Sequence, residues 1–96
     1  MDVVTDERLD KYFSITAEAL AQAKTAFDDS TPERLAQARD TFDMAERYYT
    51  DAQHFRERGE KVLAFAALNY AHGWLDAGAR FGLFLVKDSR LFTVDD

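Results

Sequence analysis

Chain breakers are scarce in this sequence. One proline, Pro32, and four glycines are all that 96 residues contain. Few breakers mean few turns, and few turns mean long elements. β-branched residues are sparse, and no segment alternates with period two over a useful length, so no strand is expected between residues 6 and 85. The length fits a single domain, residues 1–96, with one modest core. An all-α fold follows: a three-helix up-down-up antiparallel bundle with a short C-terminal tail.

Hydrophobic spacing places the helices at about 6–27, 32–58 and 60–85, with a tail at 86–96. In the first, Leu9, Phe13, Ala17, Leu20, Ala23 and Phe27 recur at three- and four-residue steps, and Asp6 and Glu7 sit where the helix dipole favours acid. Thr31-Pro32 is a start signal: Thr31 can cap, and Pro32 suits the first helical position, whose N–H has no partner anyway. Ser30 with Glu33 offers a capping box as an alternative. The second helix carries Leu35, Ala38, Phe42, Ala45, Tyr49 and Ala52, and Gly59 follows as a C-terminal stop. The tail segment Leu91-Phe92-Thr93-Val94 is expected to fold back on the bundle end or to pair with a partner.

The third helix is apolar over two arcs. Leu63, Ala66, Tyr70, Trp74, Ala77, Phe81 and Phe84 form the larger stripe, read as the core face. Ala64, Leu68, Ala71, Leu75 and Gly82 form a second, about 110° round at 3.6 residues per turn. On this reading Leu9, Phe13, Leu20, Phe42, Tyr49, Leu63, Tyr70, Trp74 and Phe81 are buried. Leu68 and Leu75 are then surplus apolar surface, the expected interface with a partner. Gly73, Gly78 and Gly82 lie within this predicted helix, where glycine is costly unless a backbone must approach another surface closely.

No cysteine is present, which removes disulfides, thiolate metal sites and thiol nucleophiles together and fits a cytoplasmic setting. No apolar run is long enough to span a bilayer, and the acidic first residues lack the basic region of a signal peptide. The net charge of −6 has the wrong sign for generic binding to nucleic acid. Aspartate outnumbers glutamate 12 to 6, arginine outnumbers lysine 8 to 4, and 15 residues are alanine. That balance fits either a protein kept soluble at high salt or an ordinary acidic protein from a GC-rich genome.

Residues Ala45 to Leu83 carry three recurring features: Tyr49-x-Asp51-Ala52-x-x-Phe55, the Gly59 turn followed by Ala64-Phe65, and Tyr70-Ala71-His72-Gly73-x-Leu75-Asp76-Ala77-Gly78. Together they resemble the archaeal family catalogued as domain of unknown function 357. The resemblance covers the second and third helices, while the first matches only in pattern. It implies a three-helix bundle and an archaeal source, lends some support to the high-salt reading, and implies no activity.

Two constellations could carry chemistry. Asn69, His72, Asp76 and Arg80 share about 80° of one helix face. His72 and Asp76, one turn apart, could hold a metal with further ligands or act as an acid–base pair; equally they could form a partner-binding or simply solvated face, with Asp51 of the second helix as a further candidate. Arg47 and His54 lie two turns apart on the second helix. Their Arg-x6-His spacing is similar to the signature of the HEPN ribonucleases, which implies an arginine on the phosphate and a histidine moving a proton without metal. Tyr48 stands where that superfamily places a polar residue.

With no phosphate loop, no nucleophile elbow and no cofactor motif, the sequence favours a non-enzymatic interaction or homo-oligomerisation module. Its expected partner is itself, as a dimer, or another cytoplasmic protein, with no cofactor and no metal. The alternatives are the ribonuclease and a small-ligand binder between the second and third helices.

Overall fold

The computed structural model describes residues 3–92. Three helices follow in order: α1, Asp6–Lys24; α2, Pro32–Glu57; and α3, Lys61–Arg80. Thr5 caps α1 by accepting from the Arg8 N–H at 3.1 Å, and Thr31 caps α2 by accepting from the Arg34 N–H at 3.0 Å. Pro32 occupies the first turn of α2. Ser30 is not the cap; its own N–H donates to Asp28.

Contacts between helices fix the topology. Near the start of α1, Arg56 pairs with Asp10 and lies over the Phe13 ring, while Lys61 pairs with Asp6. At the other end Phe27, just past α1, meets Phe42 edge to face. α2 therefore runs antiparallel to α1, and α3 runs back parallel to it, Tyr12 packing on Phe65. α2 and α3, joined by the tight turn at Gly59, form the most extensive pairing. No strand occurs among the described residues.

Helices α2 and α3 both stop on a glycine with positive φ: Gly59 at 77° and Gly82 at 71°. In each case the next residue's N–H reaches back to the carbonyl five residues earlier, Glu60 to Phe55 at 2.9 Å and Leu83 to Gly78 at 2.8 Å. This double closure satisfies carbonyls that the helix leaves unpaired, and the left-handed residue it needs is least strained as glycine. Gly59 was read as a stop. Gly82 was expected inside the third helix, which in fact ends at Arg80 rather than Leu85.

The first helix likewise ends earlier than expected, at Lys24 rather than Phe27. Residues 26–28 leave the helix to meet residues 83–85: the Asp28 N–H donates to Leu83 at 2.8 Å and the Leu85 N–H to Ala26 at 2.7 Å. This isolated antiparallel bridge between Phe27 and Phe84 sets the two rings beside Phe42. Arg34 ties the same corner, donating to Asp28 at 2.9 Å and to the Phe81 carbonyl at 2.8 Å.

Beyond the bridge the chain descends along α1. Gln22 donates to Asp88 at 3.1 Å, and Arg90 donates to Glu18 and to Asp88. Leu83, Phe84, Leu91 and Phe92 are buried, so this return segment forms part of the core. Of the two fates expected for the tail, folding back is the one observed as far as Phe92; Thr93 and Val94 lie outside the described residues.

Two clusters make the interior. One joins Ala19, Leu20, Phe42, Leu75, Phe84 and Phe92; the other joins Leu9, Phe13, Ala52, Ala64 and Leu68. Leu9, Phe13, Leu20 and Phe42 are buried as the spacing predicts, and Tyr49 is half-buried. The third helix departs from expectation: it turns Ala64, Ala67, Leu68, Ala71, Leu75 and Gly78 inward. Leu63, Tyr70, Trp74 and Phe81 stay exposed, at 47%, 63%, 36% and 68%. The cause is volume. Phe13, Phe42, Tyr49 and Phe84 already fill the interior with rings, and a close-packed core then takes the arc of α3 with smaller side chains.

Candidate functional site

α3 presents three arcs, and each does something different. The inward arc is spent on the fold. Leu68 and Leu75, expected to meet a partner, are 1% and 0% exposed and belong to the chain's own core. The aromatic stripe read as core is the one that faces outward.

The second arc carries the polar ribbon. His72 and Asp76 are partly exposed, with Nε2 and Oδ1 3.7 Å apart, an ion pair when the imidazole is protonated and too long for a good hydrogen bond. Asn69, His72 and Asp76 line a groove of about 400 Å3 between α1 and α3, together with Tyr12, Thr16 and Arg90. The polar groove therefore lies between the first and third helices; the small-ligand alternative named a cleft between the second and third. Arg80 does not line it, although it has an interaction of its own. Arg90 arrives from the return segment, held by Asp88 and Glu18; those two carboxylates raise its pKa, while Arg90 and Gln22 hold the Asp88 carboxyl down at about 2. Arg90, Tyr12 and Thr16 were not among the expected site residues, since only the folded return segment brings Arg90 to α1.

Arg47, Asp51 and His54 sit exposed on α2 and line neither groove described here. The Arg47 guanidinium donates to Asp43 one turn back at 2.8 Å, an exposed helix pair. Among the described residues no three histidine, aspartate or glutamate side chains converge as a metal site.

The third arc is apolar. Ala66, Gly73 and Ala77 form a strip of small residues along the outside of α3, and with Asn69, Tyr70 and Trp74 they line a shallow groove of about 540 Å3. Tyr70 stacks on Tyr48 of α2, ring centroids 5.2 Å apart, which makes an aromatic wall on that side. A Cβ added at Gly73 meets nothing within 4 Å, so the space its side chain would take is open; Gly73 also borders the polar groove against α1. Gly78, on the inward arc, is the opposite case: a Cβ there falls 2.2 Å from the Phe84 ring.

The model of the family described as "Protein of unknown function (DUF357)" matches residues 11–84. The chain belongs to this family. The DUF357 match runs from the second turn of α1 to the bridge residue Phe84, so it takes in most of the first helix, which resembled the family only in pattern. It includes both grooves' α3 residues and stops before Arg90. Neither the curated proteins nor the solved structures gave a match. Among the described residues no helix is long and apolar enough to cross a membrane.

Proposed function

We propose that this DUF357 protein is a non-enzymatic interaction module whose docking surface is the outer arc of α3. The observation that carries this reading is the exposure of Leu63, Tyr70, Trp74 and Phe81 on one helix whose core contacts are already met by its other arc. Large apolar side chains gathered on one face mark association surfaces, whereas singly scattered ones do not. Tyrosine and tryptophan are also the residue types that dominate binding energy at interface centres. The partner belongs to the cytoplasm on this reading, and the site needs no cofactor. Asn69 lies at the rim of this surface. His72 and Asp76 lie beyond it in the groove against α1, Arg80 follows one turn after Asp76, and Asp51 is separate on α2.

A photo-crosslinking residue placed at Ala66, in the native host, tests the reading. A defined cross-linked species from position 66, lost when Tyr70 is changed to aspartate, is the expected result. Absence of any species at position 66, with the protein folded and abundant, defeats the module. The ribonuclease alternative has a direct assay: metal-free cleavage of single-stranded RNA that disappears in both Arg47→Ala and His54→Ala would displace the module.

A further inference from the structure

We infer that the occupant of the α3 face is a second copy of the same chain, with the two α3 helices packed antiparallel about a twofold axis near residues 71–73. This rests on the module reading above and names its partner.

The first argument is self-complementarity. Exposed positions 63, 66, 70, 73 or 74 and 81, with the half-buried 77, follow the alternating three- and four-residue steps of a helix-pairing seam. In an antiparallel pair each position meets the one whose number brings the sum to about 143 or 144. That rule sets Leu63 against Phe81, Ala66 against Ala77, and Tyr70 against Gly73 and Trp74 of the other copy. Every layer is apolar or aromatic, and the Tyr70 ring at the centre falls on the smallest residue, Gly73. A twofold axis then repeats each contact once, as an isologous interface requires.

The second argument is Gly73. A glycine in a helix interior costs stability relative to alanine. Gly78 has a reason inside the chain, because Phe84 occupies the space of its missing side chain; at Gly73 no atom of the chain occupies that space. Close approach from outside the chain, by the ring of Tyr70 from the other copy, supplies the reason.

The third argument is area. At about 200 Å2 per aromatic side chain, the exposed fractions of Tyr70, Trp74 and Phe81 leave roughly 300 Å2 of aromatic surface. A standard interface takes about 800 Å2 from each partner, of which some 500 Å2 is apolar. Leu63, itself half exposed, and the Ala66–Gly73–Ala77 strip add to the aromatic area on the same face, towards that figure.

The chain has no cysteine, so engineered thiols report the arrangement directly. Ala66→Cys and Ala77→Cys are purified separately and then mixed under mild oxidation. In the antiparallel pair a disulfide joins the two variants in the mixture, and neither variant links to itself, because identical positions lie about 16 Å apart along the axis. Self-linking of Ala66→Cys alone overturns the antiparallel arrangement. Sedimentation of the unmodified chain should show a dimer at micromolar concentration, weakened at least tenfold by Gly73→Leu and by Tyr70→Ala, both still helical by circular dichroism. A chain that stays monomeric at 200 μM, or a dimer indifferent to both substitutions, overturns the inference. The module reading fails separately: a position-66 cross-link to a different protein, with a monomeric purified chain, retains the module and removes the second copy.

Discussion

Two glycines five residues apart on α3 set up opposite substitutions. Gly78→Ala drives a methyl into the Phe84 ring at 2.2 Å, and that ring is itself wedged between Phe27 and Phe42. Overpacking of this kind costs about 1–3 kcal/mol and outweighs the helix-propensity gain of about 1 kcal/mol. Gly73→Ala meets nothing, so at concentrations where the chain is monomeric it should stabilise by about 0.5–1 kcal/mol. Urea denaturation of the two variants checks this, and equal shifts of the same sign refute it. Phe84→Ala should cost about 3–5 kcal/mol as a buried ring. Trp74→Ala should cost clearly less in the monomer, reversing the expectation from its place in the apolar stripe. Local signals were legible at single residues: Thr31-Pro32 begins α2 and Gly59 follows its end, because capping and left-handed backbone are decided within a few positions. Gly82 was not legible, since Phe81 and Phe84 continue the helical spacing straight through it.

At the scale of elements, the period of α3 identifies a helix but not which side faces in. Both arcs are apolar, and the choice between Leu68 and Trp74 depends on how much volume α1, α2 and the return segment bring to the centre. That information is spread over the whole chain. Folding back of the tail was legible as one of two fates, but where it docks was not, because its partners, Gln22 and Glu18, lie far away in sequence. Its docking carries a pH dependence. Hydrogen bonds from Arg90 and Gln22 hold Asp88 at about 2, and hydrogen bonds from Arg34 and Ser30 hold Asp28 at about 2. Both values lie below the unfolded carboxyl's usual 3.9 or so. The stabilisation is therefore present in full above about pH 4–5 and is lost as pH falls through 2. Amide resonances of Leu91 and Phe92 should shift across that window, and Asp88→Asn should flatten the change. An unaltered acid transition in that variant would show that other groups control it.

For the whole molecule, charge and shape oppose one another. Each copy carries a formal charge of −6, so two copies repel while their α3 faces attract. Salt screens the repulsion, with a Debye length of about 10 Å at 0.1 M falling to about 3 Å at 1 M, and leaves the apolar contact intact. Association should accordingly tighten between 0.1 and 1 M potassium chloride, measured by sedimentation; weakening with salt would point to an interface held by ion pairs. The polar groove between α1 and α3 is a product of this scale too, since it needs Tyr12, His72 and Arg90 from three separate parts of the sequence.

The return segment has a consequence for how the chain is made. Glu18 and Gln22 are held by residues 72 and 66 positions downstream. α1 is made before α3 and the return segment, so the sides of it that they cover stay open until they are made. The pairing of α2 with α3 is the most extensive in the bundle and needs little loop closure, which favours its early formation. The half of the bundle around Leu20, Ala23 and Phe42 is sealed only when Phe84, Leu91 and Phe92 arrive. A nascent chain halted after Arg80 has all three helices on hand and an open hydrophobic end, the species a chaperone would meet.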